Sequence, residues 1–598
     1  MNRIKIAVGI FIVILFILIG KIYYISVKSH ALYLQIAKNN IVKTEDIPPL
    51  RGIIRDNHGI ALAVNKLGFA IELKPHLSKK TKLKILEKKI DKLIKLFPKL
   101  KKEKLKKEYL KKDSAYVHKY IKIIRYMPYN DIIPYFSELS LDDDIKIAPA
   151  SKRYYPYGNI LSHVLGYVAK ANIKDVREDF VANLTGFTGK SGVEKYYNKY
   201  LEGNAGKKIS EVSAYNKEVK VLKKIKPIKE NITLSIDVKL EEYISKLFNG
   251  KSGAIIVMNI QDGSILSAGS YPGFDPNKFV NGISFKEWKK ISTDFNHPFT
   301  NKLTNGLYPP GSIVKPGVGL AFLDSKYINK NTIFYDPGYI ELGNRKFRCW
   351  KKEGHHKVNI VKAIRESCDV YYYKGSLKVG IDNISKVLEK FGFGQKTGVD
   401  LANESKGILP SRKWKLERYG KPWFQGETII TSIGQGYFLV TPMQIAKYTA
   451  MIASGHTVTP HFIKQIGKKA IVFKNKPIFS KKEKRYIKII RKAMYEVCNS
   501  PHGTATNYLT TKITLAGKTG TAQVVGIPQE EKKRMKENEL TYYKRSHAWL
   551  TTYGPYKHPK YVVTVLVEHG GHGGHAAGEI VSKIYDKLYD LGYIKTKK

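Results

Sequence analysis

The sequence predicts an α+β protein of at least two domains behind one N-terminal membrane-spanning helix, and three observations carry that expectation. At 598 residues the chain exceeds what a single hydrophobic core serves. An almost unbroken apolar run fills residues 6–19. From about residue 253 onward, short apolar runs joined by tight-turn signals alternate with segments of helical periodicity, which suggests an α+β domain.

In the apolar run, only Gly9 interrupts large hydrophobic side chains, and after Gly20 and Lys21 the segment Ile22-Tyr23-Tyr24-Ile25 extends it. About 20 such residues span a bilayer core. Arg3 and Lys5 precede the run, so the positive-inside rule puts the N-terminus in the cytoplasm, with Tyr23 and Tyr24 at the far interface. The continuation Ser26-Val27-Lys28-Ser29-His30 offers no clear small-residue cleavage site, which favours a retained anchor over a cleaved signal peptide. Residues 1–25 are therefore read as stub and anchor, with the remainder outside the cytoplasmic membrane.

Residues 26–230 read as a second region. Arg55 and Ile60 flank an Asp56-Asn57-His58-Gly59 turn between short apolar runs, a hairpin signal. Leu83, Leu86, Ile90, Leu93, Ile94 and Phe97 recur at three- and four-residue spacing with lysines between them, which predicts an amphipathic helix in a Lys-rich insertion. The lysine-rich stretch 217–230, with Pro227, reads as a linker. A third region, 231–598, opens with a second hairpin around Asp262-Gly263.

Lys and Arg number 104 against 51 Asp and Glu, a formal net charge of +53. The excess is spread along the whole chain with Ile, Asn and Tyr, and no nucleic-acid-binding signature accompanies it, so nucleic acid is not an expected partner. Three cysteines, Cys349, Cys368 and Cys498, are too few for a disulfide framework.

The chemistry is carried by three short motifs. In Pro310-Gly311-Ser312-Ile313-Val314-Lys315, the serine and lysine lie three apart, so a helix starting near Ser312 puts both on one face. A serine hydroxyl needs a base to become a nucleophile, and a desolvated lysine can be that base. Alone, this spacing is weak in a lysine-rich chain. Ser367-Cys368-Asp369 follows, and then Lys518-Thr519-Gly520-Thr521 at the end of the apolar run 513–516, read as a strand. Lys-Thr-Gly on a strand offers a cation and a hydroxyl to a carboxylate, with close backbone approach at the glycine. Three motifs in this order match the pattern of penicillin-binding proteins and class A β-lactamases.

On these residues the chain resembles the class B penicillin-binding proteins, in particular the elongation-type penicillin-binding protein 2 group. Arg153-Tyr154-Tyr155-Pro156, His163, Gly166-Tyr167 and Gly189-Lys190-Ser191-Gly192-Val193-Glu194 resemble that family's pedestal signatures. Tyr308-Pro309-Pro310-Gly311-Ser312, Gly434-Gln435-Gly436 and His547-Ala548-Trp549 resemble its catalytic ones, and most of these glycines are accounted for by turn geometry. The resemblance implies an elongated pedestal domain ahead of a penicillin-binding transpeptidase domain, an antiparallel sheet flanked by helices plus an all-helical part.

It also implies D,D-transpeptidation of peptidoglycan stem peptides, with β-lactams as covalent inhibitors. Ser312 is the implied nucleophile and Lys315 its base. Ser367 relays a proton between Lys518 and the leaving nitrogen. Thr519 and Thr521 hold the terminal carboxylate, with Gly520 between them, and the N–H groups of Ser312 and Thr521 form an oxyanion hole. Asp369 stands where the general pattern has Asn, a departure usual in the elongation-type subgroup that leaves its contacts open. No cofactor is needed for the chemistry, and a D,D-carboxypeptidase side reaction, a hydrolase activity, is compatible with it. The implied location is the bacterial inner membrane with a periplasmic catalytic domain, and the implied partners are elongation-complex proteins including a SEDS-family glycosyltransferase.

A β-lactamase or β-lactam sensor is disfavoured because no deacylation glutamate is assignable and the large N-terminal half has no role there. A catalytically silent scaffold is disfavoured by the intact Ser312, Lys315, Ser367 and Lys518. A bifunctional enzyme is disfavoured because Glu45-Asp46 is followed by Ile-Pro-Pro, which does not fit a glycosyltransferase pattern. Asp336, Cys349, His355 and Cys368, with His356 as a substitute, could hold a structural zinc. Two free thiols or a Cys349–Cys368 disulfide are the alternatives. His569, His572 and His575, separated by glycine pairs, read as a turn after the strand Tyr561–Val567 rather than as a helical metal site.

Overall fold

The computed structural model describes residues 2–29, 41–213, 218–280, 282–525 and 537–595. The chain groups into two compact units. The first comprises Met1–Gly52, Ala171–Phe187 and Glu202–Glu230. Its helix Asn2–Tyr23 leaves Ile10, Phe11, Phe16 and Ile17 exposed. Among the described residues, Arg3–Lys28 is the one segment both helical and apolar enough to cross a membrane, at 26 residues about 39 Å long.

This unit also holds a three-stranded antiparallel sheet of Val42–Ile47, Gly206–Val212 and Glu218–Ile225, with Val42 opposite Glu211 and Ile47 opposite Gly206. The third strand corrects the reading of 217–230 as a linker; Lys217 itself lies outside the described residues. Every side chain of Glu218–Ile225 is exposed, so the strand lacks the apolar/polar alternation that burial of one face imposes, and its lysines mimic a linker.

The second unit comprises Ile53–Lys170, Thr188–Leu201 and Asn231–Lys598. The expected hairpin is present: Ile54–Arg55 pairs antiparallel with the long strand Ala61–Leu73. That strand also pairs with Ile121–Pro128 and Ile145–Tyr154. Leu86, Ile90 and Leu93 of helix Leu83–Leu96 are buried with Ile71, Leu73 and Ile121 in a core of their own, as the periodicity predicts, while Lys84, Lys88 and Lys95 are exposed and Lys89 and Lys92 pair with Asp142.

Two of the resemblance motifs meet within this unit. Arg153 Nε donates to Glu194 Oε1 at 2.7 Å, and the hydroxyl of Tyr155 donates to the same oxygen at 3.1 Å. A Cβ on Gly166 would stand 1.9 Å from the Ser191 carbonyl oxygen, so this glycine serves close backbone approach as well as a positive φ.

The catalytic sheet has five antiparallel strands in the order Ile265–Tyr271, Gly253–Asn259, Tyr561–Val567, His547–Gly554, Ala516–Ala522. Tyr561–Val567 is buried at every position because helices cover both faces: Gly573–Asp590 packs on one side and Pro442–Ser454 contacts the same strand. Helices Lys315–Asp324, Asp369–Val379, Ile381–Lys390 and Lys481–Asn499 form the helical part.

Two local expectations are corrected. Lys518-Thr519-Gly520 lies on a strand as expected, with Gly520 opposite Trp549, but the strand is Ala516–Ala522: it begins where the apolar run 513–516 ends and continues past the motif. The His-Gly stretch does not remain a turn: only His569 is in the turn, His572 caps helix Gly573–Asp590, and His575 lies within it. Glycines begin this helix because nothing larger fits. A Cβ on Gly573 would lie 2.3 Å from the carbonyl oxygens of Gly520 and Trp549, and one on Gly574 would lie 2.7 Å from the Tyr508 ring.

Candidate active site

Ser312 sits in a 3₁₀ turn, Gly311–Val314, that runs directly into helix Lys315–Asp324. In such a turn residues three apart eclipse one another, which aligns Ser312 with Lys315. Gly311 has a φ of +57°, and a Cβ there would lie 2.9 Å from the Thr521 carbonyl oxygen and 3.4 Å from the Thr521 nitrogen. The backbone of the serine turn therefore lies against that of the Lys-Thr-Gly strand. On its other side Gly311 N–H donates to Gly434 O at 2.9 Å, which explains the Gly434-Gln435-Gly436 motif.

Lys315 is fully buried, and its ammonium has three partners: Asp369 Oδ1 at 2.7 Å, Ser367 O at 2.7 Å and Ser367 Oγ at 3.2 Å. The first and second motifs are thus joined through one nitrogen. Ser367 holds a left-handed φ of +56°, rare for a residue with a side chain and a strain found mostly at functional sites. Asp369, whose contacts the sequence left open, accepts from Lys315 on one oxygen and from Trp350 N–H on the other at 3.0 Å.

Lys518 is buried as well. Burial, followed by the nearby positive charge of Lys315, drives its amine well below the usual lysine range. Thr519 Oγ1 shares a 2.7 Å hydrogen bond with Thr504 Oγ1, and Gly520 leaves the room that Ile313 and Trp549 occupy.

Trp350 and Thr504 are functional neighbours that sequence reasoning missed. The Trp350 indole donates to the carbonyls of Glu366 and Ser367, both at 3.1 Å. Neither residue belongs to a motif, and no spacing points to them.

Directly behind Ser367 and Asp369, the candidate ligand atoms of Asp336, Cys349, His355 and Cys368 lie within 4.8 Å of one another, all four residues buried. His356, the substitute, is exposed and points its ring toward Tyr335. Cys349, Cys368 and Cys498 are free thiols. Asp336 Oδ2 accepts from His355 Nδ1 at 2.7 Å and from Cys368 Sγ at 3.2 Å, while His355 Nδ1 lies 3.5 Å from Cys349 Sγ.

The charges are arranged accordingly. Burial pushes Asp336 upward, but hydrogen bonds from His355, Gly338 and the two thiols hold it well below the carboxylate range. Against its own burial, His355 is raised to about 9 by Asp336 and Cys349. The Cys368 hydrogen bond lowers Cys349 to about 6, whereas burial raises Cys368. Two soft sulfurs, an imidazole presenting Nδ1 and a carboxylate gathered this closely fit the donor set of a structural zinc.

His569, His572 and His575 do not gather around one point: His569 N–H donates to His547 Nδ1, and His575 packs near Tyr508.

Comparison with known proteins bears on both halves of the chain. Residues 253–586 match the family described as penicillin binding protein transpeptidase domain, and residues 46–234 match the penicillin-binding protein dimerisation domain. The peptidoglycan D,D-transpeptidase MrdA of Salmonella typhimurium is 34% identical over 610 residues, covering 99% of this chain and 96% of the relative. Among solved structures, the complex between penicillin-binding protein 2 and MreC from Helicobacter pylori superposes with a TM-score of 0.85 at 44% identity, covering 92% of this chain and 99% of that one. A peptidoglycan synthase complex described as coordinating polymerization and crosslinking gives a TM-score of 0.70 at 26% identity, covering 100% of this chain and 99% of that one.

Proposed function

The chain belongs to the penicillin-binding transpeptidase family, and from that premise we propose that it cross-links peptidoglycan stem peptides by D,D-transpeptidation through an acyl-enzyme on Ser312, in support of cell elongation and rod shape. The observation that carries the reading is the buried junction at Lys315, where one nitrogen, on the residue that directly follows the nucleophile's turn, contacts both Ser367 and Asp369.

In this route Ser312 Oγ attacks the carbonyl between two D-alanines while Lys315, as the base, takes its proton. The developing oxyanion is met by the N–H groups of Ser312 and Thr521, whose segments lie side by side at Gly311. Collapse breaks the C–N bond, and the departing amine receives a proton through Ser367, replenished from Lys518. A buried lysine beside a second cation exchanges its proton readily, which suits Lys518 to that relay. Thr519 and Thr521 bind the terminal carboxylate. An amine from a neighbouring stem peptide then attacks the acyl-enzyme and regenerates Ser312. Water in place of that amine gives the D,D-carboxypeptidase side reaction. A β-lactam enters the same first step and stops there.

Zinc held by Asp336, Cys349, His355 and Cys368 would act structurally. Cys368 lies between Ser367 and Asp369, accepts from Tyr371 N–H at the start of helix Asp369–Val379, and Cys349 Sγ accepts from Asp369 N–H. A metal there would fix the second motif without entering the reaction.

The domain layout that suits this reading is an anchor at 1–25, a pedestal at 26–230 and the transpeptidase domain at 231–598. The apolar N-terminal helix and the basic residues before it support an inner-membrane protein with a periplasmic catalytic domain. The Helicobacter complex with MreC and the synthase complex support partners in cell-wall assembly; elongation-complex proteins including a SEDS-family glycosyltransferase are the partners that the family resemblance implies. Penicillin labelling of the outer domain tests the reading: covalent adduct on Ser312 supports it, and unchanged protein mass after incubation contradicts it.

A further inference from the structure

Behind the nucleophile's turn lies a second buried ionic cluster that the reaction just described does not use. Lys302 Nζ, 2% exposed, is 3.1 Å from Glu568 Oε2 and donates to Ser252 Oγ at 2.8 Å and to the carbonyls of Tyr271 and Asn296, both at 2.6 Å. Ser252 Oγ also donates to Glu568 Oε2. The other carboxylate oxygen, Oε1, accepts from the hydroxyl of Tyr308 at 2.7 Å. Tyr308 is buried and lies four residues ahead of Ser312.

Each end of this cluster leads to one half of the oxyanion hole. From Tyr308 the chain is held at every step. Its N–H and C=O both bond Val440, at 3.0 and 2.9 Å. The Pro309 carbonyl accepts from Trp549 Nε1 at 3.2 Å, and Gly311 is bonded to Gly434. Two prolines and a left-handed glycine leave that segment little freedom to absorb a shift before Ser312.

From Glu568 the path runs the other way. Glu568 follows directly on strand Tyr561–Val567, whose Val567 is opposite Ala548, which is in turn opposite Thr521. The ring of Tyr308 packs edge-on against His547 and Trp549, which flank Ala548 on strand His547–Gly554, with centroids 5.4 and 6.0 Å away. One carboxylate therefore ties the serine turn to the sheet that carries the second oxyanion donor.

We propose that Glu568, charged and held by Lys302, is a positioning residue that fixes the Ser312 N–H relative to the Thr521 N–H through Tyr308. The proposal rests on the acyl-enzyme reading above. A hydrogen-bonded network of this kind acts as a unit, and a carboxylate satisfied on both oxygens in a buried site holds its partners to a single geometry. Misplacing an oxyanion donor affects the transition state more than the bound ground state, so its signature is a slower acylation step at unchanged binding.

The test uses the full chain in detergent, a fluorescent penicillin, and the variants Tyr308→Phe, Glu568→Gln and the double variant. The amplitude of labelling counts folded sites, and the saturating rate constant and half-saturating concentration are read separately. The expected result is that each single variant acylates about tenfold to a hundredfold more slowly per labelled site, with half-saturation unchanged within about threefold. The double variant is expected to be no slower than the slower single one, because both break one link.

Rate constants within about twofold of the parent, or a loss of amplitude alone, overturn the inference and leave the acyl-enzyme reading intact. Slowing that multiplies in the double variant also overturns it. A parent chain that does not label at Ser312 overturns the reading and the inference with it. Tyr308→Phe keeps both the ring and the Lys302–Glu568 pair, so it decides the matter if Glu568→Gln yields too few folded sites.

Discussion

The Lys315 ammonium lies 2.7 Å from Asp369 Oδ1, with the lysine side chain fully buried and the carboxylate 12% exposed. Asp369 is the residue that departs from the general motif, and here it supplies the counter-charge for the base. Removing one partner of a buried ion pair costs about 3–5 kcal/mol, because the other charge is left unpaired. Asp369→Ala is expected to lower stability by that order, while Asp369→Asn, which keeps an acceptor oxygen in place, loses less. Thermal unfolding of both variants checks this, and an Asp369→Asn variant as stable as the parent would deny the counter-charge role.

Gly434 has a φ of +76°, and a Cβ there would meet the Gly311 carbonyl oxygen at 2.2 Å. Gly434→Ala is expected to push the serine turn away from strand Ala516–Ala522 and to slow penicillin acylation by about a hundredfold. Gly420 also has a positive φ, of +63°, but nothing lies within 4 Å of a Cβ there. Gly420→Ala should therefore show the left-handed strain alone, about 1 kcal/mol, with acylation unchanged.

These two glycines illustrate how much was legible in the sequence. The helix over Leu83–Leu96 and the strands Gly253–Asn259, Ile265–Tyr271 and Tyr561–Val567 follow from periodicity or turn chemistry, because each buries a face that its residues must match. Glu218–Ile225 buries none, so its composition gave no strand signal. Ser312, Lys315, Ser367 and Lys518 were legible as local motifs. Trp350, Thr504 and Glu568 were not, since each acts through hydrogen bonds to residues outside its own segment that no spacing announces.

Glu241 offers a pH test of the core. It is fully buried on helix Val238–Leu247, accepts from Ser267 Oγ at 2.6 Å and Ala268 N–H at 2.9 Å, and is raised by burial to about 7. A folded pKa above the unfolded one means that the folded chain binds more protons between those values. Stability is therefore fully present below about pH 4.5 and is lost as pH rises through 7. Over that window the loss is about 3 kcal/mol, at about 1.4 kcal/mol per pH unit. Glu241→Gln is expected to gain on the parent by that order between pH 4.5 and 8 in thermal unfolding, and parallel pH profiles would contradict it.

If zinc occupies the Asp336, Cys349, His355 and Cys368 cluster, elemental analysis of the purified chain gives about one zinc per molecule. Cys368→Ser or prolonged chelation should then lower the unfolding temperature and slow acylation together, because Cys368 lies between the two catalytic side chains of the second motif. Absence of stoichiometric metal in chain purified without chelator would leave the cluster as a hydrogen-bonded set of thiols.

The most direct measurement of the central claim is mass spectrometry of the chain after incubation with a penicillin. The account predicts a mass increase of one intact penicillin, mapped to the peptide bearing Ser312, and no adduct on Ser312→Ala. An unmodified parent chain, or an adduct that persists in Ser312→Ala, would contradict it.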